Sequence, residues 1–519
     1  MRSKTLLNTL AFNLSAFRTF WLVDFCVLVA FLCYCFCNER ARSDLYEVRY
    51  RQLVSTVFNV FQQMQVRNND SVGEMTSACA LRGQCLSIGD PVYCPHRTTR
   101  LSNFPPTAAY QWQRVSPCSD EIYLFTAYAD PRYQNVSPNV GVVVAVLAMV
   151  KDYLQAPLHC YLWKDVKSKP IIVAAKAKAI WRLSWDPRPR FYVPYLFTCS
   201  TSSDYAGYFA YVSIECSQCA SVVSNLVSIS HGRQNGQKGH TVVCVKGLDY
   251  PEDNSLRLIE WIEANFLLGA NKIMVYSYHV HPNMQKVLDY YSSVSNGSFE
   301  HTAITLPGNQ PNLPAQRSAF IQRNRQQKRR NELIPYNDCL LRHVTSHIYA
   351  LLVDLDELVV PLQTNNWREM IDLYLSDVKK SPNDLTGLSV RNAFYFDNLA
   401  MKEDSDRKSS GLHMSSHLVR SRRLTPKGLF SKSFMKISNV AIAFNHYPLD
   451  VVRSGVLPTL HIGADYAIKN HYAARCPVEL GTECEQLVLD TLEDDNLAPF
   501  REDLIRRFSN VVRQVRLQN

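Results

Sequence analysis

The spacing of hydrophobic and polar residues changes along this 519-residue chain, and each change predicts a different structure. Residues 20–38 contain a nearly unbroken apolar run. Between about 106 and 240, short apolar stretches predict strands with few helices between them. From residue 241 onward, apolar strands alternate with helical periods, which predicts an α/β domain. The expected segments are a cytosolic tail at 1–19, a transmembrane anchor at 20–38, a stem at 39–105, a β-rich accessory domain at 106–240, an α/β domain at 241–480 and a helical segment at 481–519.

The apolar run from Trp21 to Cys37 is 17 residues long, just enough for a membrane-spanning helix. Its one acid, Asp24, lies about one turn from the start, where it can reach the headgroups. The charged residues that precede the run, Arg2, Lys4 and Arg18, are all basic, so the positive-inside rule places the N-terminus in the cytosol. A cleaved signal peptide is the alternative, but no small-residue cleavage site follows the run. We therefore expect a single-pass type II membrane protein with its folded part in the lumen.

Cysteine and charge content agree with this placement. Twelve of the sixteen cysteines follow the apolar run, and this even set predicts disulfide bonds in an oxidising compartment. Cys216 and Cys219 could instead form a redox or zinc pair, although no second such pair accompanies them. Asn69 and Asn296 begin glycosylation sequons. The densest basic stretch, 323–330, predicts a solvated helix face or a phosphate-facing patch, and it lacks the interleaved aromatic residues typical of nucleic-acid binding.

A strand–helix–strand unit opens the α/β domain. Residues 241–246 form an apolar strand, Asn254 is a suitable N-cap for a helix that ends at Gly269, and a second strand covers 272–276. Strands joined by such a helix run parallel, so a mostly parallel sheet flanked by helices is expected. The strongest strand is 348–353, whose continuous apolarity fits the middle of the sheet.

Three acids, Asp354, Asp356 and Glu357, follow that strand. Carboxylates two positions apart on an extended chain point to the same side, here at the carboxyl end of a central strand, where open α/β sheets bind ligands. Acids packed without counter-charge repel one another, and Mn²⁺ or Mg²⁺ would remove that cost while holding a diphosphate. A solvated strand end is the alternative. Leu358 disfavours a phosphatase of the haloacid dehalogenase type, and a calcium loop would need further acids at regular offsets.

With these residues in place, the chain resembles glycosyltransferase family 92. The similarity rests on an ordered set of short motifs: Thr126–Arg132, Val243–Val245, Glu260–Glu263 with Leu268 and Gly269, Asn337–Cys339 with Arg342, Asp354–Glu357, Pro361, Ser431 with Lys432, His446, and His471 with Tyr472. One departure is Ala473, where the family usually has Arg. Another is the segment 402–423, which matches no recognised pattern.

The resemblance implies a GT-A fold, a UDP-sugar donor that is usually UDP-galactose, a divalent metal and inversion at the anomeric carbon. Relatives add β-1,4-linked galactose to glycans. Such an enzyme would lie in the Golgi membrane with its catalytic region in the lumen, and it would act on a glycan or glycoprotein acceptor. A non-catalytic lumenal carbohydrate-binding protein that kept the fold is the alternative.

The acids and the resemblance together suggest residue roles. Asp354 and Asp356 are the expected metal ligands, and Asp354 could also contact the ribose of the donor. The resemblance implies His471 as a further metal ligand. Lys432 could neutralise the diphosphate of the donor, although an exposed lysine is the simpler interpretation.

An inverting transfer also needs a base that deprotonates the acceptor hydroxyl as it attacks. Asp397 closes the strand-like stretch 388–396 and could face the donor, and Asp404 lies nearby in sequence. Both acids could instead be solvated loop residues, and His471 and His446 could be hydrogen-bonded core residues.

Overall fold

The computed structural model describes residues 91, 94, 100–101, 110–205, 207–232, 237–399, 411–477 and 480–517. The predicted cytosolic tail and anchor lie outside these residues, as does nearly all of the predicted stem. None of the described helices combines the length and the apolarity that crossing a bilayer requires.

Strands dominate the described residues before 231, as the apolar pattern predicts. They are β1 (Arg100–Leu101), β2 (Gln113–Arg114), β3 (Ile122–Ala129), β4 (Val140–Lys151), β5 (His159–Trp163), β6 (Ile171–Ala179), β7 (Tyr192–Ser202), β8 (Tyr211–Glu215), β9 (Val222–Val223) and β10 (Val227–Ser230). β4 is buried along all but its last residue, which explains why its sequence is continuously apolar and does not alternate.

The larger sheet of this β-rich part closes on itself. Its order is β10-β8-β5-β6-β7-β4-β3-β2, and β10 also pairs with β3, where Ile229 lies opposite Ala127. Strands β3 to β8 and β10 therefore form a ring, with β2 on its outer edge.

Helices and strands alternate after residue 239. The helices are α1 (Ser255–Leu268), α2 (Pro282–Val294), α3 (Pro314–Arg323), α4 (Arg325–Asn331), α5 (Leu333–Arg342), α6 (Trp367–Asp377), α7 (Glu483–Leu489) and α8 (Arg501–Val515). The strands are β11 (Gly239–Tyr250), β12 (Lys272–Val280), β13 (Phe299–Ala303), β14 (His347–Leu352), β15 (Glu357–Pro361), β16 (Gly387–Val390), β17 (Asn392–Phe396), β18 (Val419–Ser421), β19 (Lys432–Lys436), β20 (Val440–Ala443), β21 (Pro448–Val451), β22 (Leu460–His461), β23 (Ala467–Ala473) and β24 (Thr491–Glu493).

Seven strands form the central sheet, in the order β13-β12-β11-β14-β19-β16-β22. Neighbouring strands are parallel except at β19, which runs antiparallel to both β14 and β16. The expected α/β fold is confirmed, and β14 lies in the middle of its sheet. The predicted helix α1 joins β11 to β12 and ends at Gly269, whose φ of +118° suits glycine. The chain-end helix α8 packs on α1 and buries Phe508.

A second sheet, β15-β23-β17, lies next to the acidic residues. β15 runs antiparallel to β23, with Glu357 opposite His471. β17 runs parallel to β23, with Phe394 beside His471 and Tyr395 beside Tyr472. Because side chains alternate along a strand, His471 and Tyr472 point to opposite faces of this sheet.

The β-rich part and the α/β part share one hydrophobic cluster. It joins β4 residues such as Val146 to α5 residues such as Tyr336 and Leu340. All described residues also fall within one structural unit. The change of sequence pattern near residue 240 therefore lies inside a continuous core.

Disulfide bonds join the described cysteines in pairs, which confirms the expectation drawn from their even number. The pairs are Cys94–Cys219, Cys118–Cys216, Cys160–Cys199, Cys244–Cys339 and Cys476–Cys484. Cys216 and Cys219 thus bond to different partners and are structural. Cys79 and Cys85 lie outside the described residues.

Candidate functional site

The acidic residues lie in the turn that connects β14 to β15. β14 ends at Leu352, so Asp354 and Asp356 belong to the turn and not to an extended strand, contrary to the sequence-based expectation. Their carboxylates therefore face different partners, since a turn does not preserve the alternation of a strand. The turn does lie at the carboxyl end of the central strand, where ligands of open α/β sheets bind.

Asp354 is an anion that the protein itself neutralises. Lys246 Nζ on β11 lies 3.0 Å from Asp354 Oδ1, and Lys432 Nζ on β19 lies 3.4 Å from Oδ2. Tyr336 donates a hydrogen bond to Oδ1 at 3.3 Å. Burial would raise the pKa of Asp354, but the two lysines hold it well below its usual range. Asp354 is therefore ionised at neutral pH.

Glu357 links Lys432 to a third lysine. Its carboxylate lies 3.3 Å from Lys432 Nζ and forms a short ion pair with Lys469 on β23. Both lysine side chains are fully buried, and Glu357 is 4% exposed. Burial would raise the pKa of Glu357, but the lysines lower it. The lysines already balance the charge of the acids. The acids therefore do not need a metal ion to offset their mutual repulsion, contrary to the argument made from the sequence.

Asp356 faces His471 at the solvent-exposed side of the turn. Asp356 Oδ2 lies 3.5 Å from His471 Nε2, and the two side chains are 41% and 16% exposed. Burial would raise the pKa of Asp356, but its hydrogen bond to His471 lowers it. Asp354, Asp356 and His471 do not all bring ligand atoms within 4.8 Å of one another. Asp354 therefore stands apart from the other two predicted metal ligands.

Asp356 and His471 fit a divalent cation as a pair. Metal–ligand bonds of about 2.0 to 2.2 Å place neighbouring ligand atoms about 3 to 3.5 Å apart, and the observed separation is 3.5 Å. A carboxylate oxygen and an imidazole nitrogen are acceptable ligands for Mn²⁺. His471 Nδ1 is buried and finds no hydrogen-bond partner among the described residues. Two protein ligands would leave other positions for water and for phosphate oxygens.

A cavity of about 560 Å³ lies next to the partners of Asp354. Lys246 and Tyr336, which contact Asp354, form part of its wall. Asn445, also in the wall, accepts a hydrogen bond from Lys432 Nζ at 2.6 Å. A cavity of this size is typical of sites that bind a small molecule or cofactor.

Aromatic and basic side chains share the wall of this cavity. Trp181, from the β-rich part, and Phe444 supply flat apolar surface, and Lys328 is one of several basic α4 residues that line it. Arg330 of the same helix is buried and stacks on Trp181, with its guanidinium carbon 4.7 Å from the ring centroid. The basic stretch therefore faces a cavity, which favours the phosphate-facing interpretation.

His446 and Lys432 occupy defined positions near the cavity. His446 lines the wall, and its Nδ1 lies 2.9 Å from the Ser431 carbonyl oxygen. Burial and the charge of Lys432 lower the pKa of His446 to about 4, so its imidazole is neutral. Lys432 is fully buried, yet Asp354 and Glu357 raise its pKa against the effect of burial. It is therefore not an exposed surface lysine.

Trp261 on α1 supports the acidic turn, and its neighbour Glu260 holds a different segment, residues 413–415. Trp261 Nε1 donates to the Glu357 carbonyl oxygen at 3.0 Å, which fixes the start of β15. Glu260 is fully buried and accepts the backbone N–H groups of His413 and Ser415 at 2.7 and 2.9 Å. These two family-like residues therefore have structural roles.

Asp338 joins the early Thr126–Tyr128 motif to α5. Thr126 and Tyr128 donate to Asp338 Oδ1 at 2.7 and 2.6 Å, and Tyr276 donates to Oδ2 at 2.5 Å. Burial raises the pKa of Asp338 to about 6, although the three hydroxyls act to lower it. Since Asp338 is completely buried, this network is an internal connection between the two parts of the fold.

Asp397 lies apart from the turn acids. Its carboxylate contacts His417 Nε2 at 3.0 Å and His413 Nε2 at 3.4 Å. The rings of both histidines lie near Tyr472, which points to the face of the three-stranded sheet opposite His471. The structure thus does not bring Asp397 to the predicted metal ligands.

The structure brings four of the predicted site residues together. Asp354, Asp356, Lys432 and His471 gather around one turn, whereas Asp404 lies outside the described residues.

Several residues of the site were missed from the sequence. Lys246 could have been found from the sequence. Like Asp354, it follows an apolar stretch, and its strand β11 runs parallel to β14. Lys469 lies inside β23, and Trp181 comes from the β-rich part, so no local pattern marks either of them. His413 and His417 have the spacing i, i+4, but they lie in the segment that matched no recognised pattern.

A protein-family model described as Glycosyltransferase family 92 matches residues 240–508. The match covers just over half of the 519 residues. It includes the acidic turn and all three of its lysines, whereas Trp181 precedes it. A search among curated proteins found no match.

Proposed function

Because this chain belongs to glycosyltransferase family 92, we propose that it transfers galactose from UDP-galactose to a glycan acceptor, forming a β-1,4 linkage with inversion at the anomeric carbon. Family membership makes it a glycosyltransferase. The choice of donor and linkage rests on the motif resemblance. The observation that carries the proposal is the cavity lined by Lys246 and Tyr336, the partners of Asp354, whose wall combines aromatic and basic side chains.

The chemistry of the wall suits a nucleoside diphosphate sugar. Phe444, with the buried Trp181 packed beside it, offers a surface on which a uracil or sugar ring can pack, and Lys328 and its basic neighbours on α4 can pair with a diphosphate. Asp354 is held ionised by Lys246 and Lys432. A carboxylate in that position can accept hydrogen bonds from ribose or sugar hydroxyls.

Asp356 and His471 are the residues that we propose hold Mn²⁺, or Mg²⁺ in its place. A bound divalent cation would neutralise the charge that develops on the departing diphosphate. Asp356 and His471 are both partly exposed to solvent. Their backbone positions are set by the pairing of β15 with β23.

The acceptor hydroxyl must lose a proton as it attacks. Asp397 and Asp404 stay sequence-based predictions for this role. The contacts of Asp397 with two histidines support a different role, which is developed below.

We further propose that the protein is a single-pass type II protein of the Golgi membrane, with the described residues in the lumen. The predicted anchor and its flanking charges support this orientation. The disulfide bonds support an oxidising compartment. Asn296 lies in an exposed turn, where a glycan can be attached.

The test is donor turnover by the full chain, purified in detergent. UDP release is measured with UDP-galactose and with other UDP-sugars, with Mn²⁺, with Mg²⁺ and with a chelator, over a panel of glycan acceptors. We expect UDP-galactose to be preferred and the chelator to abolish turnover. Asp356→Asn should lower kcat/KM by about 100-fold or more, because the cation would lose its carboxylate ligand.

Asp372→Asn is the matched control. Asp372 is an exposed acid of α6. Burial lowers the pKa of His240 and the charge of Asp372 acts against this, so the two residues are neighbours. His240 lies near the amino end of β11, at the opposite end of the central sheet from the acidic turn. Unchanged turnover in Asp356→Asn would refute the proposed catalytic site. Binding of a glycan without turnover of any UDP-sugar would favour the non-catalytic alternative.

A further inference from the structure

Asp397, His413 and His417 form a cluster on the face of the three-stranded sheet opposite His471. Within the parts of the chain that the structure describes, they are the one group of three His, Cys, Asp or Glu side chains whose ligand atoms all lie within 4.8 Å of one another. We propose that this cluster is a second metal site that binds Zn²⁺, separate from Asp356 and His471.

The distances within the cluster match those between ligands of one metal ion. Asp397 Oδ1 lies 3.0 Å from His417 Nε2 and 3.4 Å from His413 Nε2. Bonds of about 2.0 to 2.1 Å, with ligand angles of about 90 to 110°, give ligand separations of about 2.8 to 3.4 Å. An ion can therefore enter with little movement of the three side chains.

The hydrogen bonding of His417 calls for a positive charge between His417 and Asp397. His417 Nδ1 lies 2.7 Å from the His413 carbonyl oxygen, which can only accept, so Nδ1 carries the hydrogen. In the neutral ring Nε2 then has a lone pair, and this lone pair faces a carboxylate oxygen that also accepts. Either a proton or Zn²⁺ on Nε2 resolves the conflict, and the contact with His413 Nε2 leaves Asp397 Oδ1 shared between two imidazoles, as around one metal ion. An Nδ1–H bonded to a carbonyl is also the usual outer contact of a metal-bound histidine.

The cluster is held in place by buried neighbours. The carboxylate of Glu260 on α1 accepts the backbone N–H groups of His413, Met414 and Ser415 at 2.7, 3.0 and 2.9 Å. His417 is 3% exposed, whereas His413 and Asp397 are 32% and 40% exposed. One side of the cluster is thus rigid and the other is open, which provides an entry path for the ion.

The ligand set distinguishes this site from the one at the acidic turn. Two imidazoles and one carboxylate, with an open fourth position, are typical of zinc sites, and nitrogen ligands favour Zn²⁺ over Mg²⁺ and Mn²⁺. Zn²⁺ bound here would join the end of β17 to the residues that Glu260 anchors on α1. The bound ion would therefore stabilise the fold.

The test is metal binding by the full chain after treatment with a chelator. Zn²⁺ is titrated in competition with a chromophoric chelator, and Co²⁺ is added separately to look for the visible absorption of a nitrogen-ligated ion. We expect one equivalent of Zn²⁺ at this cluster and a Co²⁺ band. His417→Gln and Asp397→Asn should each weaken Zn²⁺ binding by more than about 100-fold. Losing only an outer contact of a ligand weakens binding by up to about 100-fold, so a larger loss indicates a direct ligand.

Three variants serve as controls. His279→Gln removes an exposed histidine of β12, and Asp356→Asn and His471→Gln remove the ligands proposed for the other site. All three should keep the Zn²⁺ equivalent and the Co²⁺ band of the cluster. Loss of the band in Asp356→Asn or in His471→Gln would overturn the assignment.

Melting temperatures separate loss of the site from loss of the fold. Zn²⁺ should raise the melting temperature of the unsubstituted chain and leave that of His417→Gln unchanged. If the unsubstituted chain itself shows neither a Co²⁺ band nor a shift with Zn²⁺, the cluster is an ordinary histidine–carboxylate ion pair and the proposal is wrong. This outcome does not depend on the folding of any variant, and it leaves the proposed glycosyltransferase activity untouched.

Discussion

Glu357 on β15 and Lys469 on β23 form a buried ion pair directly behind the acidic turn. Lys432 lies between Glu357 and Asp354, at 3.3 and 3.4 Å. A charge buried without a partner costs several kcal/mol, so these groups depend on one another. The turn is therefore held in place by lysines even before any ligand binds.

Replacing Glu357 with Gln should lower the free energy of unfolding by about 3 to 5 kcal/mol, because two buried lysines, Lys432 and Lys469, would lose the carboxylate that balances their charge. The measurement is thermal or urea-induced unfolding of the full chain. Glu502→Gln, at an exposed position in the first turn of α8, is the control and should be close to neutral. Equal stability of the two variants would show that the ion pair is not important.

Lys328→Ala should raise the KM for the UDP-sugar about two- to fivefold and leave kcat nearly unchanged. Lys328 is an exposed charge in the cavity wall, and such a contact contributes about 1 kcal/mol or less, in the substrate complex and in the transition state alike. Steady-state kinetics at low and high salt test this, since screening should reduce the difference. Lys380→Ala, at an exposed position after α6, should have no effect. A fall in kcat alone would contradict a role in donor binding.

The buried Asp338 should make the fold more stable at pH 5 than at pH 7. Its pKa rises from an ordinary value of about 3.9 in the unfolded chain to about 6 in the folded protein. A raised pKa stabilises the fold below the unfolded value, and this stabilisation of about 3 kcal/mol is lost as the pH rises through about 6. The check is the melting temperature of the full chain between pH 4 and 8.

Asp338→Asn should flatten this pH dependence. Its amide oxygen can still accept from Thr126 and Tyr128, and its NH₂ group can donate to the hydroxyl of Tyr276. Asp338→Ala should instead destabilise the protein at every pH, because it leaves buried hydroxyls without partners. An unchanged slope in Asp338→Asn would mean that another group titrates.

Two disulfide bonds of different loop length offer a matched comparison. Cys244 and Cys339 are separated by 95 residues, and Cys476 and Cys484 by 8. Loop-closure entropy predicts that replacing the first pair by Ala costs about 4 to 5 kcal/mol and replacing the second about 2 to 3 kcal/mol. Unfolding of the two double variants tests this order. A reversed order would show that native contacts outweigh chain entropy.

The sequence by itself determined the alternation of strands and helices, the central position of β14 and the acids that follow it. Apolar periodicity reports which faces of an element are buried, and this property is local. It was less informative about the turn, because Asp354 and Asp356 were expected on an extended strand and lie beyond its end. Burial of β14 can be inferred from its own residues, whereas the direction of each carboxylate depends on its partners.

Only the tertiary structure decided those partners. Lys246, Lys432 and Lys469 reach the acids from three different strands, and Trp181 reaches the cavity from the β-rich part. Asp397 ends a strand, as its sequence suggests, but strand pairing places it on the face opposite His471. Contacts between residues distant in sequence depend on register and packing, and a single chain's local pattern does not encode them.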